Sequence, residues 1–164
     1  MSRLVAARAV QSALMDRVAD LIDLIMSYGG HVMIENPTHS KFWKQSFMSR
    51  IRASVATRHV PRTFLLNRCR VNGIHFKQFK FFTSLPTAYT AHMELTCDHH
   101  FKHPPCLGRD ANGKSVTAAS GVYTRSMVFC IVGAIALTVG LKQQFQKLSK
   151  VVHHGETKCH EIFN

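Results

Sequence analysis

The sequence predicts an α/β fold: a mainly parallel sheet with flanking helices. Three observations lead there. Apolar residues recur at three- and four-residue steps over 4–28 and again over 38–57, the period of amphipathic helices. Short apolar or aromatic runs at 31–35, 63–66 and 76–84 read as strands. The two kinds of segment alternate from 4 to 84, as in sheets whose parallel strands are joined by helical crossovers. A hydrophobic share of 46% against 18% charged residues excludes a disordered chain. The 164 residues suffice for one domain, expected over 1–150, with a His- and Cys-bearing tail over 151–164.

The first helix rests on Val10, Leu14, Val18, Leu21, Ile22 and Ile25, with Asp16, Asp20 and Asp23 mostly between them. Gly29-Gly30 ends it, because glycine accepts the positive φ of a C-cap without steric penalty. His31 to Glu35 follows as a buried strand that Asn36-Pro37 closes. The second helix, 38–57, has Ser or Thr available as N-cap and sets Phe42, Trp43, Phe47, Ile51 and Val55 on one side. Lys41, Lys44, Arg50 and Arg52 make it basic. The strands at 63–66 and 76–84 come next. A His-, Pro- and Gly-rich loop then spans 96–115, and an apolar helix spans 122–147.

Charge narrows the partners. Lys and Arg number 21 and Asp and Glu 9, a net +12. A domain this basic is drawn to polyanions, and nucleic acid is the expected partner. The membrane alternative needs a span. Met127 to Leu141 carries no charge between Arg125 and Lys142, yet it is shorter than the roughly twenty residues a bilayer requires. A membrane partner is therefore not expected, although a small membrane-associated protein anchored by 127–141 is one alternative reading.

The five cysteines, Cys69, Cys97, Cys106, Cys130 and Cys159, are odd in number and irregularly spaced. Met1 to Ala19 has no apolar run long enough for a secretory signal. Reduced thiols in the cytosol or nucleus are expected.

A carboxylate at the tip of a buried strand, in Val32-Met33-Ile34-Glu35-Asn36-Pro37, would face the crevice where open α/β sheets bind ligands. Ser40-Lys41-Phe42-Trp43 follows it. Further on come Asn67-Arg68-Cys69-Arg70-Val71-Asn72-Gly73 and Lys77-Gln78-Phe79-Lys80-Phe81-Phe82-Thr83-Ser84. The order of these motifs resembles the Glu-Asn-Val and Gln-x-Arg regions of cytosine-C5 DNA methyltransferases. It is more similar to the divergent Glu-Asn-Pro type of phages and mobile elements, with its Cys-x-x-Gly turn, Lys-x-Thr strand, Cys/His loop and tyrosine-led helix. The resemblance covers about residues 28 to 135.

The resemblance implies a partial Rossmann-like, methyltransferase-like sheet. It gives Glu35, with Asn36 and Pro37, the catalytic position. The Glu35 carboxyl would hold a proton against the edge of a flipped cytosine. Gln78 and Lys80 would help position the base or its phosphate, alongside the nucleic-acid-binding residues Lys41, Lys44, Arg50, Arg52 and Lys77. A nearby lysine such as Lys80 would offset the Glu35 charge. Lys80 stands where the methyltransferases have arginine and the divergent relatives threonine. No Phe-x-Gly-x-Gly-like turn for S-adenosylmethionine and no Pro-Cys nucleophile turn precede residue 32. The chain thus reads as a fragment or decayed copy, with no cofactor-binding residues and no turnover of its own.

Cys97, His99, His103 and Cys106 form a second constellation, with His100 interchangeable with His99. Thiolate and imidazole are zinc's preferred ligands, and four make a tetrahedral site. One short loop closing all four bonds would be strained. His153, His154, Cys159 and His160 could complete a shared site. A zinc-stabilised basic nucleic-acid-binding module without enzyme ancestry is therefore the other alternative.

Overall fold

The computed structural model describes residues 3–140 apart from Pro105. Helix α1 (Arg3–Ser27) leads to strand β1 (Met33–Pro37), a 3₁₀ turn (Lys41–Lys44) and helix α2 (Ser46–Ala56). Strand β2 (Arg62–Asn67), a 3₁₀ turn (Arg68–Val71) and strand β3 (Gln78–Thr83) follow. Two short helices, α3 (Thr87–Thr90) and α4 (Val116–Ser120), precede helix α5 (Arg125–Thr138). The expected tail at 151–164 and the C-terminal end of the expected 122–147 helix lie outside the described residues.

The sheet corrects the predicted fold class. Its order is β1-β3-β2, and β3 is antiparallel to both neighbours. It is neither a mainly parallel nor a Rossmann-like sheet. The alternation of helices and strands stops at β2: residues 68–77 hold one 3₁₀ turn and no crossover helix. Without a crossover the chain can only return antiparallel. Strand β3 therefore enters beside β2 and fills the gap between β1 and β2, which run in the same direction.

Composition explains why β3 takes the centre. Opposed residues in the ladder share a face, so Phe79, Phe81 and Thr83 stand with Glu35, Phe64 and Leu66. Lys80 and Phe82 stand with Ile34, Asn36 and Leu65 on the other face. Phe79 and Phe81 pack into a core with Phe64, Leu66, Met93, Met127, Cys130 and Ala134. Phe82 packs into the opposite core with Ile22, Met26, Trp43, Met48, Ile51 and Val55. A strand apolar on both faces needs cover on both, and the helices supply it: α1 and α2 on one side, α5 on the other.

Local chemistry fixes the ends. Gly29 adopts φ +72°, and the Gly30 amide donates to the Ile25 carbonyl at 2.9 Å, closing α1 as predicted. The buried stripe of α1 is Ala19, Ile22 and Met26, whereas Val10, Leu14 and Leu21 are exposed. The expected 38–57 helix is interrupted at Gln45, whose extended backbone separates the 3₁₀ turn from α2. The Ser40 hydroxyl caps that turn by accepting from the Phe42 amide at 3.2 Å. Pro37 is the last residue of the strand, as expected; β1 is an edge strand, so its missing amide costs the sheet no ladder bond. Thr124 caps α5 by accepting from the Met127 amide at 3.2 Å. With 14 residues, α5 is about 21 Å long against a hydrocarbon core of about 30 Å. Among the described residues no helix is long and apolar enough to cross a membrane.

Candidate functional site

Glu35 lies in the middle of the edge strand, opposite Phe81, rather than at the tip of a parallel strand. One carboxylate oxygen accepts a short hydrogen bond from the Tyr123 hydroxyl. The other, Oε1, is buried and has no hydrogen-bond partner among the described residues. Burial raises the carboxyl's pKa above the ordinary 4.5, against the opposing pull of the Tyr123 bond and the Lys77 charge. Burial and Glu35 together push the Tyr123 phenol well above its usual range.

Glu35 and its expected helpers part company. Asn36 stands on the opposite face, lining a cleft with Gln11, Ser12 and Lys41. Pro37 is exposed, and its carbonyl accepts from the Trp43 indole nitrogen at 3.0 Å. Lys80 does not offset Glu35: the sheet separates them, and the Lys80 ammonium sits 5.3 Å from the Trp43 ring centroid. Lys77 is the lysine on the carboxylate's side. Its ammonium donates to the Ser120 carbonyl at 3.2 Å and lies 5.2 Å from the Phe79 ring centroid. The Gln78 carbonyl receives both the amide and the hydroxyl of Thr38, at 3.2 and 3.1 Å.

The basic residues divide in the same way. Arg50 is consumed by ion pairs with Asp20, at 2.8 Å, and Asp23. Arg52 donates to the Trp43 carbonyl at 3.3 Å. Lys41 and Lys44 flank Trp43 in the 3₁₀ turn. Lys41 and Lys44 thus share the turn of the buried Trp43, Arg52 bonds its backbone carbonyl, and Lys80 lies over its ring. Among the described residues none of the four is in a salt bridge. Beside them, between α1 and the start of α2, a cleft of about 770 Å³ is lined by Gln11, Ser12, Asn36, Lys41, Gln45 and Ser46 among others, with no acid among the described lining residues.

The cysteine–histidine group assembles from two segments. Cys69 comes from the 3₁₀ turn after β2, and Cys97, His99 and His103 come from the loop after α3. Their ligand atoms all lie within 4.8 Å of one another. Cys97 Sγ is 3.4 Å from His99 Nδ1 and 3.2 Å from His103 Nε2. The far nitrogen of His103 lies 3.4 Å from the Ile74 carbonyl. An Arg70–Asp98 ion pair ties turn to loop beside the group. The His99 amide and the His103 ring draw the Cys97 thiol down to about 6. Burial and the neighbouring Cys97 push Cys69 up to about 11. Cys106 is elsewhere, with its thiol 3.4 Å from the Phe76 carbonyl. Three of the four predicted ligands therefore meet, and Cys69 takes the place given to Cys106. His153, His154, Cys159 and His160 lie outside the described residues.

No protein-family model, curated protein or solved structure matches the chain. The likeness to the Glu-Asn-Pro methyltransferases accordingly stands on its motifs, and the antiparallel sheet departs from the fold that likeness implied.

The turn that carries Cys69 depends on two residues. Asn72 takes the left-handed conformation at φ 62°, and its side-chain amide donates to the Ser126 hydroxyl at 2.9 Å. The Gly73 amide then donates to the Arg68 carbonyl at 2.9 Å. A Cβ on Gly73 would come within 2.7 Å of that same carbonyl oxygen. Asn-Gly after a cysteine was the visible sign that Cys69 sits on a fixed turn.

Proposed function

We propose that the chain is a basic nucleic-acid-binding domain without turnover of its own, working in the cytosol or nucleus. The observation that carries this is the grouping of Lys41, Lys44, Arg52 and Lys80 at the Trp43 turn, with no acid pairing them among the described residues. Lys80 is held over the indole and Arg52 on the Trp43 carbonyl, and the positive charge grouped there attracts phosphates. The +12 net charge extends the same attraction over the whole chain. Glu35 contributes nothing to this reading, because Tyr123 already occupies its one bonded oxygen and the other is buried.

Salt dependence is the test. Four phosphate contacts correspond to a slope near −3.6 in log affinity against log salt on duplex DNA, a loss of roughly 150-fold between 50 and 200 mM. Fluorescence anisotropy with labelled duplex and single-stranded oligonucleotides measures it. The double variant Lys41→Glu, Lys44→Glu should flatten the slope by about two. Arg50→Gln should leave it unchanged, since Asp20 and Asp23 already hold that guanidinium. Salt-independent binding, or equal slopes for the parent and the double variant, would remove the proposal.

A further inference from the structure

We infer that Cys69, Cys97, His99 and His103 bind one zinc ion, and that this ion staples the loop after α3 to the turn after β2. The argument begins with distances. Zinc bonds sulfur at about 2.3 Å and imidazole nitrogen at about 2.0–2.1 Å, so the sulfur–nitrogen edges of a tetrahedral site measure about 3.5 Å. The two edges from the Cys97 sulfur are 3.4 and 3.2 Å. All four donor atoms fall inside a 4.8 Å span. Two soft sulfurs and two imidazoles match zinc's preference, whereas Ca²⁺ and Mg²⁺ take oxygen.

The second layer agrees. His103 turns Nε2 toward the group, and its Nδ1 lies 3.4 Å from the Ile74 carbonyl. A carbonyl behind a histidine ligand fixes the tautomer and frees the inner nitrogen's lone pair for the metal. Arg70, beside the thiols, is held by Asp98. Four protein ligands leave no open position for substrate, so the ion's role is structural.

The loop needs such a staple. From Glu94 to Ser115 the described chain forms no helix or ladder strand, only an isolated Arg109–Ser115 bridge. It buries few large side chains: Phe101 and Leu107 are exposed. A metal that joins three loop ligands to a fixed turn supplies the ordering free energy that the loop's own packing lacks. This site stands apart from the basic residues around Trp43 and does not depend on nucleic-acid binding.

The test uses the full chain, reduced and loaded with Zn²⁺ or Co²⁺. One equivalent of metal should remain after desalting, and Co²⁺ should give tetrahedral visible bands together with thiolate-to-cobalt charge transfer. Cys69→Ser should lose the metal, while Cys106→Ser should keep it. Cys69→His retains a donor; it should hold one Co²⁺ with the charge-transfer absorption lowered by about half, one thiolate remaining of two. That variant separates a missing ligand from a misfolded chain. Chelation should speed amide exchange across 94–115 while the β3 amides stay protected. Reduced protein that retains no metal would overturn the inference. So would loss of the ion from Cys106→Ser with retention by Cys69→Ser, which would move the site into the loop alone.

Discussion

Glu35→Gln should stabilise the protein at pH 8 and leave it nearly unchanged at pH 3.5. At pH 8 the ionised carboxylate gains a charge-assisted bond from Tyr123 but keeps a buried oxygen without a partner among the described residues. A hydrogen bond to a charged group contributes about 1.5–3 kcal/mol, and a neutral one about 0.5–1.5 kcal/mol, so glutamine gives up roughly 1 kcal/mol there. Removing the buried charge returns about 1–3 kcal/mol or more. The side chain is only half-buried, which moderates that gain, and Lys77 offsets part of the charge. The net expectation is a gain of about 1 kcal/mol at pH 8.

The pH dependence has a definite sign. Folding raises the Glu35 pKa above 4.5, so the folded state holds the proton more tightly than the unfolded chain. The stability this contributes is complete below pH 4.5 and is lost as pH rises through the folded value. Glutamine lacks the proton, so the two proteins converge in acid and separate above it. The assay is urea unfolding followed by the fluorescence of Trp43, the single tryptophan and a buried one. With a slope of about 2 kcal/mol per molar urea, 1 kcal/mol moves the midpoint by about 0.5 M. The reasoning fails if Glu35→Gln is the less stable protein at pH 8. It also fails if the gap is the same at both pH values.

Three further outcomes are expected. Tyr123→Phe removes the donor to Glu35 and should cost about 1–2 kcal/mol at pH 8, falling in acid; a cycle with Glu35→Gln should be non-additive, and strict additivity would show that the two groups act independently. Gly73→Ala drives a Cβ to within 2.7 Å of the Arg68 carbonyl and should lower both thermal stability and metal retention by displacing the turn that carries Cys69; an unchanged melting temperature would contradict that close approach. Phe64→Ala removes a buried ring stacked on Phe81 at 5.0 Å and should cost about 3–5 kcal/mol, read by the urea midpoint; a loss below about 1 kcal/mol would mean this face of β3 is not core.

Element positions were legible because local chemistry decides them. Gly29-Gly30 marked the end of α1, and the aromatic and β-branched runs marked all three strands to within two residues. Strand direction was not local. Alternating helices and strands suggest crossovers, but the link from β2 to β3 contains no helix, and that single fact reverses β3. A clue to its central place was present in Phe79, Phe81 and Phe82. Two of these side chains fall on one face and one on the other, so a half-exposed edge strand could not have buried them all. The break at Gln45 was invisible because the apolar stripe of 42–55 continues across it, and Trp43, Phe47 and Ile51 are buried on both sides of the interruption.

The sites show a sharper limit. Sequence reasoning recognised the residue types but assigned partners by proximity along the chain, and partners are set by faces and turns. Glu35 and Lys80 looked like neighbours, yet register puts them on opposite sides of one sheet, and Lys77 and Tyr123 became the carboxylate's company. Arg50 looked like a phosphate ligand, although the acids between the apolar residues of α1 were waiting for a cation from α2. For the proposed zinc ligands, spacing along the chain and place in the fold select different sets. Four bonds from Cys97, His99, His103 and Cys106 would bend one loop onto itself, and in the fold Cys69 rather than Cys106 lies with the other three. Cys69 stands on a turn that the Asn72-Gly73 pair closes three residues after it. A ligand search weighted by turn chemistry rather than by spacing alone would have selected Cys69 and released Cys106 to the Phe76 carbonyl.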